Sequence, residues 1–308
     1  MKVFHSLQYR SDTKTVVALG CFDGVHLGHA AVLKTAADTA KALGVPSLAL
    51  AFNEPPKNFF VPDSVPLLTE TPEKEARIAS LGIDLLLSVP FDQSVAELSA
   101  EDFLKTVLRD QLRAAHIVCG FNFSFGAGGK GNLALLSDFC RREGIGLSAC
   151  PPTVIDGQTV SSSLIRNAIA NGELDLVRRL LGRNYSIQGE VVNGQHLARN
   201  LGFPTFNQLL SYRIAIPRYG VYATRVSGAS LKESRFGITN VGIRPTVSEN
   251  LLCAETHIFD FAGDLYGQHL TVEFLAFLRP ETPFPTLDAL KEQVEKDIER
   301  AKDIISIV

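Results

Sequence analysis

The sequence predicts an α/β domain followed by an all-β domain: a parallel sheet with helices on both faces over residues 1–184, then an antiparallel β-barrel with a terminal α-helix over residues 185–308. Three observations predict this. In the first part, short continuously apolar runs alternate with helix-period segments, the pattern of strands buried on both faces. After Gly182 the rhythm changes to strand-length segments that follow one another with turn residues between them. The 308 residues, 45% of them hydrophobic, are long for one domain and sufficient for two cores.

Thr15–Leu19 (TVVAL) reads as a short buried strand. Ala30–Leu43 has apolar residues at helical spacing and stops at Gly44, a good left-handed cap. Ser47–Phe52 is strand again. Thr71-Pro72-Glu73 is a helix start: a capping residue, a proline at the first helical position and an acid in the first turn. Asp84–Val89 is strand, and Ser99 caps a helix that runs through Leu112. Ala115–Gly120 is strand, Asn132–Gly144 helix, Leu147–Cys150 strand, and Ser161–Leu181 one or two helices. In the second part SIQGEVV, GVYATRV, RFGITNVG, AETHIFDF and HLTVEFLAFL are the strands, and Thr286–Ile305 is the closing helix.

The net charge is −3, which argues against broad nucleic-acid binding, since that needs a basic surface. The polar opening residues have no signal-peptide apolar core, and no apolar run approaches a membrane span. Five cysteines, an odd number without C-x-x-C, read as reduced buried thiols. The expectation is a cytoplasmic protein acting on small molecules, as a monomer or weak oligomer, with no nucleic-acid or membrane partner.

One stretch concentrates chemistry. GCFDGVHLGH, Gly20–His29, lies between the first strand and its helix, where ligands bind in open α/β sheets. A helix start offers unpaired N–H groups and roughly half a positive charge, and so attracts anions. Gly20, Gly24 and Gly28 let the backbone turn sharply. His26 and His29, three apart, can point to one side and donate to phosphate oxygens as charge develops in a transition state. A metal pair is a competing reading, but no third ligand has helpful spacing and H-E-x-x-H is absent. Ordinary helix-start residues are the other. Two later stretches share the character. CGFNFSFGAGGKGN (Cys119–Asn132) is a glycine-rich loop after a strand, and VSSSLIR (Val160–Arg166) puts hydroxyls before a helix start with Arg166 just inside it.

Together GCFDGVHLGH, CGFNFSFG and VSSSLIR resemble the adenylyltransferase motifs of the bacterial bifunctional riboflavin kinase/FMN adenylyltransferase family, whose N-terminal domain is a Rossmann-like nucleotidyltransferase with an H-x-G-H motif. The resemblance runs nearly the whole chain. It implies that His26 and His29 contact ATP phosphates, while Gly20, Phe22, Asp23, Gly24, Asn122, Ser162, Ser163 and Arg166 help hold nucleotide and phosphates. In the second half LGFPTFN (Leu201–Asn207), GITNVGIRPT (Gly237–Thr246) and GDLYG (Gly263–Gly267) resemble the kinase pattern, with Phe206 where the family usually has alanine. In an extended segment Thr205 and Asn207 face the same way, which suits two oxygen ligands of Mg²⁺. By resemblance Glu255 is the kinase base, and Gly194 and Arg199 cover the ADP phosphates. The implied chemistry is ATP-dependent phosphorylation of riboflavin to FMN by the C-terminal barrel, then adenylylation of FMN to FAD with release of pyrophosphate by the N-terminal domain, both with Mg²⁺. Two alternatives stand beside it: a chain with one of the two activities, and a flavin-binding regulator without turnover.

Overall fold

The computed structural model describes residues 1–192, 202–245 and 250–306. Gly194, Arg199 and Thr246 lie outside the described residues. By contact the chain divides into two compact units, Met1–Ser162 and Ser163–Val308. This division lies upstream of the change in rhythm at Gly182, because the last α-helix before the barrel packs on barrel strands.

The first unit is built on a six-stranded parallel sheet. Its strands are β1 (Lys2–Phe4), β2 (Thr15–Leu19), β3 (Ser47–Phe52), β4 (Leu85–Val89), β5 (Ala114–Gly120) and β6 (Gly146–Cys150), in the spatial order β1-β4-β3-β2-β5-β6. Every residue of β2 is buried. Alternate residues go to opposite faces. Val17 and Leu19 pack with Phe103–Leu112 and with Leu136, Phe139 and Cys140. Val16 and Ala18 pack with Val32, Leu33, Ala36 and Ala40 of α1 (Leu27–Leu43) and with Ile78. Both faces are therefore covered, as continuously apolar strands require.

α1 begins three residues before the expected Ala30, because His26 itself caps it. The helix then ends on left-handed Gly44, as its sequence indicates. A short α2 (Lys57–Phe60) follows β3. α3 (Thr71–Ser80) carries Pro72 in its first turn but takes Glu70, not Thr71, as its capping position. After α4 (Gln93–Glu97), Ser99 caps α5 (Ala100–Asp102), which widens into a π-helix over Phe103–Gln111. α6 (Leu133–Glu143) is capped by Asn132 and stopped by Gly144. Several short elements escaped the sequence reading, α2 and α4 among them. β1 is a three-residue strand, too short to show a period, paired with β4 at the sheet edge. β7 (Val154–Ile155) and β8 (Gln158–Thr159) form a small hairpin whose turn residues, Asp156 and Gly157, both have positive φ.

α7 (Ser162–Asn171) starts on the last residue of the first unit, and with α8 (Leu174–Leu181) it precedes a closed antiparallel barrel in the second. Its strands are β9 (Tyr185–Val192), β10 (Phe206–Leu209), β11 (Gly220–Ser227), β12 (Arg235–Pro245), β13 (Asn250–Ile258) and β14 (His269–Arg279), in the order β10-β13-β12-β11-β14-β9. Closure removes the free sheet edges. Tyr222, Thr224, Val226, Thr239, Val241, Ala254, Thr256, Val272 and Phe274 are buried. The alternate residues Val221, Ala223 and Ile238 face out, under α9 (Leu287–Ile305), with Val294, Ile298 and Ala301 against them.

Candidate active sites

In the first unit β2 runs to β3 on one side, whereas β5 lies on its other side and continues to β6. The chain thus reverses its direction of progress between β2 and β5, and this is where a doubly wound sheet opens a ligand crevice. A cavity of about 570 Å³ occupies it, lined by the loops after β2 and β5 and by Cys150–Thr153 and Thr159–Ser162.

The loop after β2 is held in an unusual backbone. Phe22, Gly24 and Val25 have φ of 53°, 82° and 39°, so two residues with side chains sit in the left-handed region. Gly20 is obligatory for a different reason: a Cβ there would lie 2.8 Å from the Phe22 ring. Asp23 supplies the restraint. Its carboxylate accepts from Leu68 N (2.9 Å) and Thr69 N (3.3 Å), and Gly24 N donates to Thr69 Oγ1 (3.1 Å). Ser162 Oγ donates to the Asp23 carbonyl (3.1 Å). The buried Asp23 and Phe22 are therefore parts of the loop's frame; Phe22 also lines the cavity, whereas the Asp23 carboxylate is turned onto Leu68–Thr69.

This frame delivers the two histidines as a pair. Their rings stack with centroids 3.6 Å apart, and the edge of Phe22 meets His29 at 5.4 Å. His26 Nδ1 accepts the His29 backbone N–H at 3.2 Å, so neutral His26 carries its proton on Nε2. Gly28, His26 and His29 all line the cavity at the N-terminus of α1.

Lys74 extends the frame. It is 1% exposed, and its Nζ donates to the carbonyls of Phe52 (2.6 Å) and Asn53 (2.9 Å) at the end of β3. Burial pushes its amine below the usual lysine value, against the pull of Cys21, Asp23, Glu75 and Glu54. Nothing in the local sequence marks this lysine apart from its place in an amphipathic helix.

The loop after β5 folds back on itself through a Phe125–Gly131 bridge, and a Cβ on Gly126 would strike the Ala100 backbone at 2.6 Å. Asn122 and Ser162 line the cavity. So do Phe52, Phe60, Phe91, Phe121, Phe123 and Phe125. Phe91 meets Phe52, Phe59 and Phe60 edge-on at centroid distances of 5.0, 5.8 and 6.1 Å. The sequence reading missed this aromatic wall, although AFNEPPKNFF and GFNFSFG carry the signal. Ser163 is exposed and Arg166 half-buried on α7, within the second unit.

The second site is on the barrel. Asn207 pairs across strands with Glu255, and Glu255 with Asn240, so the three share the outward face. Asn207 is buried and Glu255 half-buried. Thr205 stands just before β10. The carbonyl of the preceding Pro204 accepts from His257 Nδ1 (2.9 Å), and Phe203 packs edge-on against that imidazole. Thr205 lines a cavity of about 670 Å³ with Thr256, Ile258 and the Gly263–Tyr266 loop. The inward face is tied by a buried hydroxyl chain, Thr224–Thr239–Thr256, with both O···O distances 2.9 Å. Hydroxyl, amide and carboxylate oxygens are the donor set that Mg²⁺ takes alongside substrate phosphates, and this set fits such an ion. Among the described residues no three His, Cys, Asp or Glu side chains form a metal-holding group, which such a shared site does not need.

The comparisons with known proteins agree with this geometry. A family model described as FAD synthetase matches residues 8–164, and one described as riboflavin kinase matches residues 181–305. A bifunctional riboflavin kinase/FMN adenylyltransferase of Pseudomonas fluorescens is 39% identical over 93% of this chain and 92% of its own length. The protein of the same name from Escherichia coli K12 is 35% identical, covering 98% of this chain and 96% of its own length. Among solved structures, a macrolide-efflux protein from Streptococcus pneumoniae superposes with TM-score 0.88 at 29% identity, over 97% of this chain and 98% of that one. Among the described residues no helix is long and apolar enough to cross a membrane. Two compact units, each matched by its own family model and both spanned by relatives at this identity, place the chain in the bifunctional riboflavin kinase/FMN adenylyltransferase family.

Proposed function

We propose that this chain makes FAD from riboflavin in two steps at two separate sites, taking residues 1–184 and 185–308 as the functional halves. In the barrel, Glu255 accepts the proton of the terminal ribityl hydroxyl, whose oxygen attacks the γ-phosphorus of ATP; ADP leaves. Thr205 and Asn207 would hold a Mg²⁺ ion, which when bound neutralises charge on the phosphates. In the first unit, the FMN phosphate attacks the α-phosphorus of a second ATP; a new phosphoanhydride bond forms and pyrophosphate leaves. No covalent enzyme intermediate is needed, so the work is positioning and charge stabilisation. His26 donates from Nε2, His29 stands beside it, and the N-terminus of α1 adds its partial positive charge. Asn122 and Ser162 supply polar contacts. The aromatic wall suits a flat isoalloxazine ring.

The observation that carries this reading is the stacked His26–His29 pair at a helix N-terminus, inside a cavity walled by phenylalanines. Chromatography of products from either riboflavin or FMN, with ATP and Mg²⁺, tests it. His29→Ala should lower FAD formation roughly 10²–10³-fold, as loss of one preorganised donor does, and spare FMN formation. Glu255→Ala should stop FMN formation and leave FAD formation from supplied FMN intact. Losses that cross between the halves would overturn the site assignments.

A further inference from the structure

The strand that carries Asn207 loses its ladder just before Thr205. β10 pairs with β13 from Leu209–Cys253 back to Phe206–Thr256, and the pairing stops there. One further step would set Thr205 opposite His257, and the next would set Pro204 opposite Ile258. Proline has no N–H to give to a ladder. A side chain takes over. His257, two residues after Glu255 and on the same face of β13, puts Nδ1 2.9 Å from the Pro204 carbonyl oxygen. A carbonyl only accepts, so Nδ1 carries the proton. The imidazole is itself held. Phe203 meets it edge-on with centroids 5.7 Å apart, and Phe259, two residues on, lies 6.1 Å away. Phe259 and Ile238, the partner of His257 on β12, belong to the apolar cluster under α9, and Lys302 of α9 sits 5.5 Å over the Phe259 ring. Pro204 and Thr205 line the cavity of about 670 Å³, whereas His257 does not.

We propose that His257 is a positioning residue of the kinase reaction: its Nδ1–H holds the Pro204 carbonyl and thereby aims the Thr205 hydroxyl at the phosphates of ATP and their Mg²⁺. This rests on the assignment of the kinase reaction, and of Thr205 within it, to the barrel. The lever is short. The Pro204 carbonyl lies in one peptide plane with Thr205 N. The proline ring fixes φ on one side of that plane, and β-branched Thr205 has few χ1 choices on the other. Holding one oxygen therefore settles where Thr205 Oγ1 points. Without the imidazole the plane is free to turn about the bond from Pro204 Cα, at the one place where neither a ladder nor a proline N–H can stop it. A hydroxyl displaced by roughly 1 Å from its working position costs about 10²-fold in rate.

The test compares His257→Ala, His257→Asn and His257→Gln in the full chain, each alone and combined with Thr205→Val. Asparagine carries an N–H donor near the place of Nδ1, glutamine one near the place of Nε2. The alanine and glutamine variants should lower kcat for FMN formation roughly 10²-fold, with the riboflavin KM and FAD formation from supplied FMN unchanged. His257→Asn should recover most of the kcat. In the Thr205→Val background the same substitutions should cost little more, since residues that act as a unit are not additive. Calorimetric titration with ADP gives a readout without turnover, and the first unit contributes equally to it in every chain. The gain in ADP affinity that Mg²⁺ brings should shrink several-fold in His257→Ala and persist in His257→Asn, while ADP without Mg²⁺ binds all the chains alike. Should His257→Ala fail to fold by thermal unfolding, the contrast between asparagine and glutamine decides. Equal kcat in those two variants, a rise in riboflavin KM as large as the loss of kcat, or an undiminished loss in the Thr205→Val background would overturn the proposal. Failure of the kinase assignment is read separately, as FMN formation that survives both Glu255→Ala and Thr205→Val.

Discussion

His26 serves the fold with one ring nitrogen and leaves the other for the proposed chemistry. Nδ1 closes the first turn of α1 by accepting from His29 N, and Nε2 is thereby the proton-bearing donor. The sequence shows both histidines and their spacing, but not that one of them is the cap. Lys74 is the opposite case: the fold uses it and the local sequence hides it. Its amine stays below the 10.5 of an exposed lysine because of burial. Between that lowered value and 10.5 the unfolded chain binds more protons than the folded one, so stability rises with pH across this window. Lys74→Met should remove that slope and leave the Phe52 and Asn53 carbonyls without their partner, at a cost of about 1–3 kcal/mol at neutral pH. Urea unfolding at several alkaline pH values checks this; parallel curves for the two proteins would contradict it. Two thiols follow the same physics with the other sign. Burial pushes Cys119 and Cys140 up to about 11, so at neutral pH both are protonated and unreactive. Iodoacetamide followed by mass spectrometry should label half-buried, cavity-lining Cys21 well before either.

Elements were legible where their period was long and their ends were punctuated. α1, α6 and α9 have apolar stripes, capping residues at His26, Asn132 and Thr286, and, for the first two, a terminal glycine in the left-handed region. β1 was not legible, because three edge residues carry no alternation. The π-helix after α5 was read as ordinary helix, since a widened turn leaves the hydrophobic spacing nearly unchanged. α9 is joined to β14 by the bidentate Arg279–Asp297 pair, separated by eighteen positions in sequence. Breaking a buried pair leaves its partner uncompensated. Asp297→Ala should therefore destabilise the second unit by about 3 kcal/mol. Thermal unfolding measures this loss. FAD formation from supplied FMN should not change.

At the scale of the whole chain, each unit carries its site where its architecture leaves polar groups to be used. The parallel sheet does so at the reversal between β2 and β5, and the barrel on an outward row crossing three strands. Motifs such as GCFDGVHLGH and PTFN point to the candidate groups because they are contiguous. The row Asn207–Glu255–Asn240 could not be read this way, because it exists only through strand register. The central claim is that one polypeptide holds two separable sites, joined by FMN as product of one and substrate of the other. Mixing two disabled chains tests this most directly. Supplied with riboflavin, ATP and Mg²⁺, Glu255→Ala alone should make neither flavin nucleotide, and His29→Ala alone should accumulate FMN. An equimolar mixture of the two should form FAD. No FAD from the mixture, or FAD from the Glu255→Ala chain by itself, would contradict the account.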